Sequence, residues 1–319
     1  MTLSRTAPAI KAMGLRKSYG DKVVLDGIDL EVVGGSVFAL LGPNGAGKTT
    51  TVNILSTLIG ADGGEVSVAG HDLVREPEAV RAAIALTGEF SAVDNLLTGE
   101  ENLLLMADLL HLPRAEGRRR VSDLLERFDI VEAARRPAVT YSGGMQRRLD
   151  LAMGLVGDPP IIFLDEPTAG LDPRSRRGMW QIVRELVASG ATIFLTTQYL
   201  EEADHLAQRI ALLDGGRVVA EGTLEELKRR VPGGHVTLRF AESDQLLRAA
   251  QALDDSRRDD DALTLEVPSA GDVKALRALL DQLDRDGVEI DDLAIHTPDL
   301  DDVFLALTGR PAREKEDVG

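Results

Sequence analysis

The chain has 319 residues, no cysteine, and a net charge of −17 from 36 basic and 53 acidic side chains. This length admits one large or two moderate domains with a sizeable core, and the hydrophobic content of 44% is ordinary. The composition excludes disulfides and thiolate metal sites and argues against nucleic acid as the main ligand; no apolar stretch is long enough to span a bilayer, the first residues lack an apolar signal core, and the scattered histidines speak against a metal site built from protein ligands alone.

In chain order, strand candidates at 23–25 and 28–32 precede the apolar run Val37–Leu41. That run feeds Gly42-Pro43-Asn44-Gly45-Ala46-Gly47-Lys48-Thr49-Thr50, and a helix-like segment follows from 49 to 58. A loop of pattern G-x-x-x-x-G-K-[ST] uses glycine where backbone N–H groups close around an anion, lysine as a point charge on the β- and γ-phosphates, and a hydroxyl for Mg²⁺. Gly42, Gly47, Lys48 and Thr49 fill those places, in the strand, loop and helix context the motif requires. A further strand candidate lies at 65–68, after the turn at Gly63-Gly64.

From about 88 to 157 helical spacing dominates, at 102–110, 117–128 and 145–155. Arg118-Arg119-Arg120 reads as a solvated helix face rather than a binding patch. Ser142-Gly143-Gly144 opens the last of these helices, where free N–H groups and the positive end of the helix dipole point outward together; alone, the triplet is more often a capped helix start. Ile161–Asp165 reads as a buried strand delivering the Asp165 carboxylate to a Mg²⁺ shell, with Glu166 placed to polarise a water. The core continues with a helix at 174–188, where Trp180 packs, a strand at 191–197, a helix at 200–206, and strands at 210–213 and 216–219.

The texture changes after Val231-Pro232-Gly233-Gly234. Strand candidates at 235–240, 262–267 and 288–297 alternate with helices at 243–253, 272–284 and 300–307. The acidic run at 254–261 lacks the ligand spacing of a calcium loop and reads as a solvated turn. The expected architecture is α/β, a P-loop mixed-sheet core with a helical subdomain, followed by a small α+β accessory domain. The expected boundaries are 1–231 for the nucleotide-binding domain, with its helical subdomain at about 88–157, then 232–310, and a charged tail at 311–319.

These motifs resemble those of the ATP-binding subunits of ABC transporters, over nearly the whole chain. Gly42 to Thr49 matches Walker A, Ser142 to Gln146 matches the signature (Tyr-Ser-Gly-Gly-Met for the family's L-S-G-G-Q), and Ile161–Asp165 matches Walker B. The chain is more similar still to the daunorubicin-resistance type of drug-efflux ATPase, on residues 141–150, 170–176, 195–204 and 301–309. The resemblance implies a P-loop ATPase of the ABC type that binds ATP and Mg²⁺. Residues Gly42, Pro43, Asn44, Gly45, Ala46, Gly47, Lys48, Thr49 and Thr50 would cradle the phosphates, Tyr19 would stack on adenine, and Thr49 and Asp165 would hold Mg²⁺. Glu166 would be the catalytic carboxylate, and Asp172 closes the D-loop Ala169-Gly170-Leu171-Asp172.

Two positions depart from the family pattern. Gln198 stands where a histidine usually holds the γ-phosphate; its amide donates a hydrogen bond but cannot titrate, and glutamine there fits the drug-efflux branch. Glu89 stands where glutamine is usual; it is expected to serve as a substitute Mg²⁺ ligand, or to weaken the closed ATP-bound state through its added negative charge.

One copy carries one phosphate loop and one signature, at opposite ends of an insertion. The family clamps each ATP between the Walker motifs of one subunit and the signature of another, which implies a head-to-tail homodimer with Ser142, Gly143 and Gly144 donating across the interface. The resemblance further implies an integral membrane permease as partner, indirect membrane contact at the cytoplasmic face of a bacterial cell membrane, and a hydrophobic drug or antibiotic as cargo. Three alternatives stay open: export of lipid or polysaccharide, a soluble ABC ATPase acting on ribosomes or DNA, and a P-loop module that has lost hydrolysis.

Overall fold

The first strand is longer than its sequence pattern suggests. In the computed structural model, which describes residues 8–88, 91–230, 234–253, 255–269, 273–296 and 299–309, β1 runs over Pro8–Tyr19. Its pairing with β2 (Lys22–Val33) shifts register between Pro8 and Ile10, Ala12 and Leu15, Leu15 and Arg16, and Lys17 and Ser18. Each bulge puts successive side chains out of the period of two, so no clean alternation marks the strand. The two short candidates at 23–25 and 28–32 are one continuous β2.

The chain then runs through β3 (Val37–Leu41), α1 (Lys48–Leu55), β4 (Gly63–Val68), β5 (His71–Asp72), α2 (Pro77–Ala82) and β6 (Ile84–Thr87). Three helices follow, α3 (Gly99–Leu109), α4 (Arg114–Arg127) and α5 (Gly143–Gly154). The core resumes with β7 (Ile161–Asp165), α6 (Pro173–Ala188), β8 (Thr192–Thr197), α7 (Leu200–Leu206), β9 (Arg209–Asp214) and β10 (Arg217–Gly222).

Two sheets share one apolar core. An antiparallel sheet has the order β2-β1-β4-β5, and a mixed sheet has the order β10-β9-β3-β8-β7-β6, parallel throughout except for the β9–β10 pair. Strands β3, β7 and β8 are buried along their whole length, so they read as continuous apolar runs. Phe38 stacks on Phe194 at 5.5 Å and Phe163 meets the same ring at 5.6 Å, and this cluster extends to Leu15, Leu25 and Ile28 of the antiparallel sheet.

Register then decides where the chemistry lies. Leu41 pairs with Thr197 and Asp165 with Thr196, so β3, β8 and β7 end side by side. The residues that leave those ends, Gly42, Gln198 and Glu166, therefore emerge at one crevice, the usual ligand position of an open parallel sheet.

The helices between β6 and β7 are set by polar anchors. Thr98 and Glu101 form a reciprocal capping box at the start of α3. Asn102, fully buried, accepts from the Asp94 N–H at 2.9 Å and donates to the Asp94 and Thr98 carbonyls at 3.0 Å each. Arg118 and Arg119 are exposed on α4 as expected, whereas Arg120 pairs with Glu116 and donates to the Val156 carbonyl at 2.9 Å.

The first compact unit ends at Leu224 and the second begins at Glu225, within a short helix, α8 (Leu224–Lys228). The second unit contains β11 (His235–Arg239), α9 (Ser243–Ala252), β12 (Arg257–Asp259), β13 (Thr264–Pro268), α10 (Val273–Arg285), β14 (Asp292–His296) and α11 (Leu300–Thr308). Its antiparallel sheet has the order β12-β13-β11-β14, and Val236, Leu238 and Leu265 pack with Leu246 of α9 and Leu283 of α10. The acidic run expected as a turn supplies the edge strand β12, whose three residues are all exposed. A charged, exposed edge blocks pairing with other chains and hides the strand from any hydrophobicity pattern.

Asn102→Ala strands a buried N–H and two carbonyls and is expected to cost the first unit about 2 kcal/mol or more. Arg118→Ala, on the exposed face of α4, should stay within about 0.5 kcal/mol of the parent. Trp180, the single tryptophan, is buried in that unit, so its fluorescence during urea unfolding reads both variants.

Candidate functional site

The loop from Gly42 to Gly47 can be built only with glycine at its two ends. A Cβ on Gly42 would come within 2.2 Å of the Leu213 carbonyl oxygen, and one on Gly47 within 2.5 Å of Leu25 Cδ2. Gly47 also holds φ at 111°, a region closed to other residues. The helix that follows, α1, starts with no capping side chain and no acidic residue in its first turn. Its free N–H groups and its dipole therefore point into the crevice without a protein counter-charge, which suits an anion.

Lys48 is 5% exposed, and its ammonium donates to the Gly42 carbonyl at 2.8 Å and the Pro43 carbonyl at 3.1 Å. It also lies 3.1 Å from Glu166 Oε1. Glu166 holds φ at 48°, a left-handed conformation that a side chain adopts at a cost of about 1–2 kcal/mol. The surroundings hold it there: its N–H donates to the Thr196 carbonyl at 3.0 Å and its Oε2 accepts from Gln198 Nε2 at 3.3 Å. Asp165 is 3% exposed and accepts from the Thr196 hydroxyl.

A cavity of about 600 Å³ joins these groups, and Asn44, Lys48, Thr49, Asp165, Glu166 and Gln198 line it. Lys48 and the backbone N–H groups at the start of α1 suit a polyphosphate; the Thr49 hydroxyl and the Asp165 carboxylate suit a hard divalent cation that keeps most of its ligands as water and phosphate oxygen. Lys22 and Val24 also line the cavity and carry no motif of their own. The one signal for Lys22 is its pairing across the β1–β2 turn with Tyr19, which is half exposed and is not itself among the residues lining the cavity.

Other sequence candidates lie elsewhere. Ser142 caps α5 by accepting from the Met145 N–H at 3.3 Å, Ser142 and Gly143 are exposed, and Ser142, Gly143 and Gly144 are not among the residues lining the cavity. Asp172 caps α6: the Ser175 hydroxyl donates to it, as do the N–H groups of Ser175 at 3.0 Å and Arg174 at 2.9 Å, and these bonds hold its carboxyl below the usual range. Glu89 falls outside the described residues.

Behind the cavity, Glu202 of α7 is fully buried. It accepts from the Thr168 hydroxyl at 2.8 Å and Trp180 Nε1 at 3.2 Å, so it ties the segment after Glu166 to α6 and α7. Burial pushes its carboxyl up, only partly offset by the hydroxyls of Thr197 and Thr168, Trp180 and the Arg176 charge.

Residues 25–169 match the ABC transporter family, and residues 222–308 match the C-terminal domain of ATP-binding proteins like DrrA1-3. The chain is 49% identical to the daunorubicin resistance ATP-binding protein DrrA3 of Streptomyces coeruleorubidus, over 97% of this chain and 98% of that protein. Among solved structures it is similar to an ATP-binding subunit of an ABC transporter, with a TM-score of 0.63 and 32% identity over 70% of this chain and 92% of that one. It is also similar to a dimeric ATP-binding cassette in a post-hydrolysis state bound to ADP and Pi, with a TM-score of 0.61 and 28% identity over 67% of this chain and 98% of that one.

The raised Glu202 carboxyl makes stability depend on pH. The fold favours the neutral acid, so its contribution is complete below the ordinary carboxylate range and is lost as pH rises through the raised value. Glu202→Gln keeps an acceptor for Thr168 and Trp180 without the buried charge. Thermal midpoints from pH 5 to pH 8, about the span over which most folded proteins are stable, should show the variant gaining on the parent as pH rises; a difference independent of pH would contradict the assignment.

Proposed function

Because the chain belongs to the ABC transporter family of ATP-hydrolysing subunits, with a C-terminal domain of the DrrA type, we propose that it drives efflux of a hydrophobic drug or antibiotic through a separate membrane subunit. The observation that carries the reading is a separation: Lys48, Glu166 and Gln198 meet at one cavity, while the exposed Ser142 and Gly143 are not part of its lining. A site clamped between copies needs its two halves on different faces of one chain. Two copies arranged head to tail then complete two sites, and the dimeric cassette among the solved relatives supports that arrangement.

ATP, when bound, supplies the transferable phosphoryl group, with Mg²⁺ neutralising its charge. Lys48 and the N-terminus of α1 hold the β- and γ-phosphates, and Thr49 and Asp165 hold the cation. Tyr19, the strand partner of the cavity-lining Lys22, stacks on adenine. Glu166 orients the attacking water, and Gln198, already bonded to Glu166, donates to the γ-phosphate without changing its charge. Lys48 now rests on Glu166, so phosphate binding would draw it away and release the carboxylate for water. Ser142, Gly143 and Gly144 donate to the ATP of the partner copy. Glu89, where the family has glutamine, would serve as a substitute ligand to the cation or weaken the closed ATP-bound state.

Residues 1–231 form the nucleotide-binding domain in this reading, and 232–310 an accessory domain for regulation or subunit contact. No described helix is long and apolar enough to cross a membrane. With a net charge of −17, docking on a protein partner is favoured over attraction to anionic lipid.

Glu166→Gln should bind Mg-ATP and elute as a stable dimer in size-exclusion chromatography, with kcat lowered by about 10²-fold or more; a fully active variant would overturn the assignment. Gln198→Ala should lower kcat by about tenfold, leaving ADP affinity unchanged, since ADP lacks the γ-phosphate.

A further inference from the structure

Arg147 lies in the second turn of α5, five residues past the Ser142 cap, and its side chain is only 12% exposed. It does not line the cavity, yet its guanidinium is spent on backbone around it. Nε donates to the Pro167 carbonyl at 3.0 Å, Nη2 to the Asp165 carbonyl at 3.0 Å, and Nη1 to the Gly88 carbonyl at 2.6 Å. Asp165 and Pro167 are the two neighbours of Glu166, and Gly88 follows β6. The planar, fixed fork of arginine can serve these acceptors at once, whereas a lysine ammonium offers one nitrogen.

The arrangement is held from behind. Asp150 Oδ2 sits 3.5 Å from Nη1, while its Oδ1 accepts from the Ala92 N–H at 2.8 Å. Burial works against both charges: it pushes the Asp150 carboxyl up and lowers the Arg147 guanidinium, and each offsets the other. A group this costly to desolvate, with its donors spent on both flanks of one residue, fits a positioning role better than packing. Glu166 needs such support, because its φ of 48° persists only where the surroundings over-determine it.

We propose that Arg147 is a positioning residue for hydrolysis: it fixes the backbone on both sides of Glu166 and couples the orientation of the signature helix to the aim of that carboxylate. This rests on the reading of Glu166 as the water-orienting group. A tilt of α5, whose first turn presents Ser142 and Gly143 to the surface, is thereby transmitted to the catalytic loop of the same chain.

The test is a double-mutant cycle on the full-length chain, with single-turnover rates and Mg-ATP affinity measured for Arg147→Gln, Arg147→Lys, Glu166→Gln and the two combinations. Arg147→Gln should lower the rate by about 10- to 100-fold while Mg-ATP affinity stays within about threefold, and Arg147→Lys should recover only part of the loss. Combined with Glu166→Gln, either change should cost little more, because both act through one carboxylate. A parental rate for both Arg147 variants, or losses that add in full to that of Glu166→Gln, would overturn the inference. If Arg147→Gln fails to fold, Arg147→Lys carries the cycle alone. A parental rate for Glu166→Gln by itself would instead overturn the functional reading, and this one with it.

Discussion

Everything at the crevice depends on the register of three neighbouring parallel strands. Because Leu41 lies beside Thr197 and Asp165 beside Thr196, the phosphate loop, Gln198 and Glu166 leave the sheet together. A slip of one residue in β7 would turn Asp165 to the opposite face and dismantle the site. The strands are buried on both faces and locked by the Phe38, Phe163 and Phe194 cluster, so the core that stabilises the sheet also places the chemistry.

Around this frame, buried ionisable groups are each held by partners from the protein. Lys48 sits on loop carbonyls and Glu166, Arg147 on backbone and Asp150, and Glu202 on Thr168 and Trp180. Each group has given up hydration: Lys48 and Arg147 are compensated by carbonyl dipoles and a carboxylate, and Glu202 by two donors and by favouring the neutral acid. The result is a loop in which Glu166 keeps a left-handed backbone because its neighbours leave it no alternative. Two of those neighbours lead outward, Arg147 to the signature helix and Glu202 to α6 and α7.

Much of this is legible in the residues. A motif whose glycines, lysine and hydroxyl each answer a physical need places the loop, and fully apolar runs ending in a carboxylate or a threonine place β7 and β8. What escapes has identifiable causes. β1 is bulged and loses its alternation, and β12 is a charged edge of exposed residues. Lys22 and Val24 line the cavity from the start of β2, far from any motif, and Arg147 donates to main-chain acceptors far apart in sequence. Asp172, a position marked by the family pattern, caps α6 in this copy.

The central claim is that each site is divided between two copies of the chain. The absence of native cysteine allows a direct measurement: chains carrying only Asn44→Cys are mixed with chains carrying only Gly143→Cys, then oxidised with and without Mg-ATP. Asn44 is exposed and a Cβ on Gly143 meets nothing within 4 Å, so neither change is expected to disturb the fold. The account predicts a covalent dimer formed from the mixture and promoted by Mg-ATP, and little from either chain alone. Crosslinking of each chain to itself in preference to the other, or none in the mixture at saturating Mg-ATP, would contradict it.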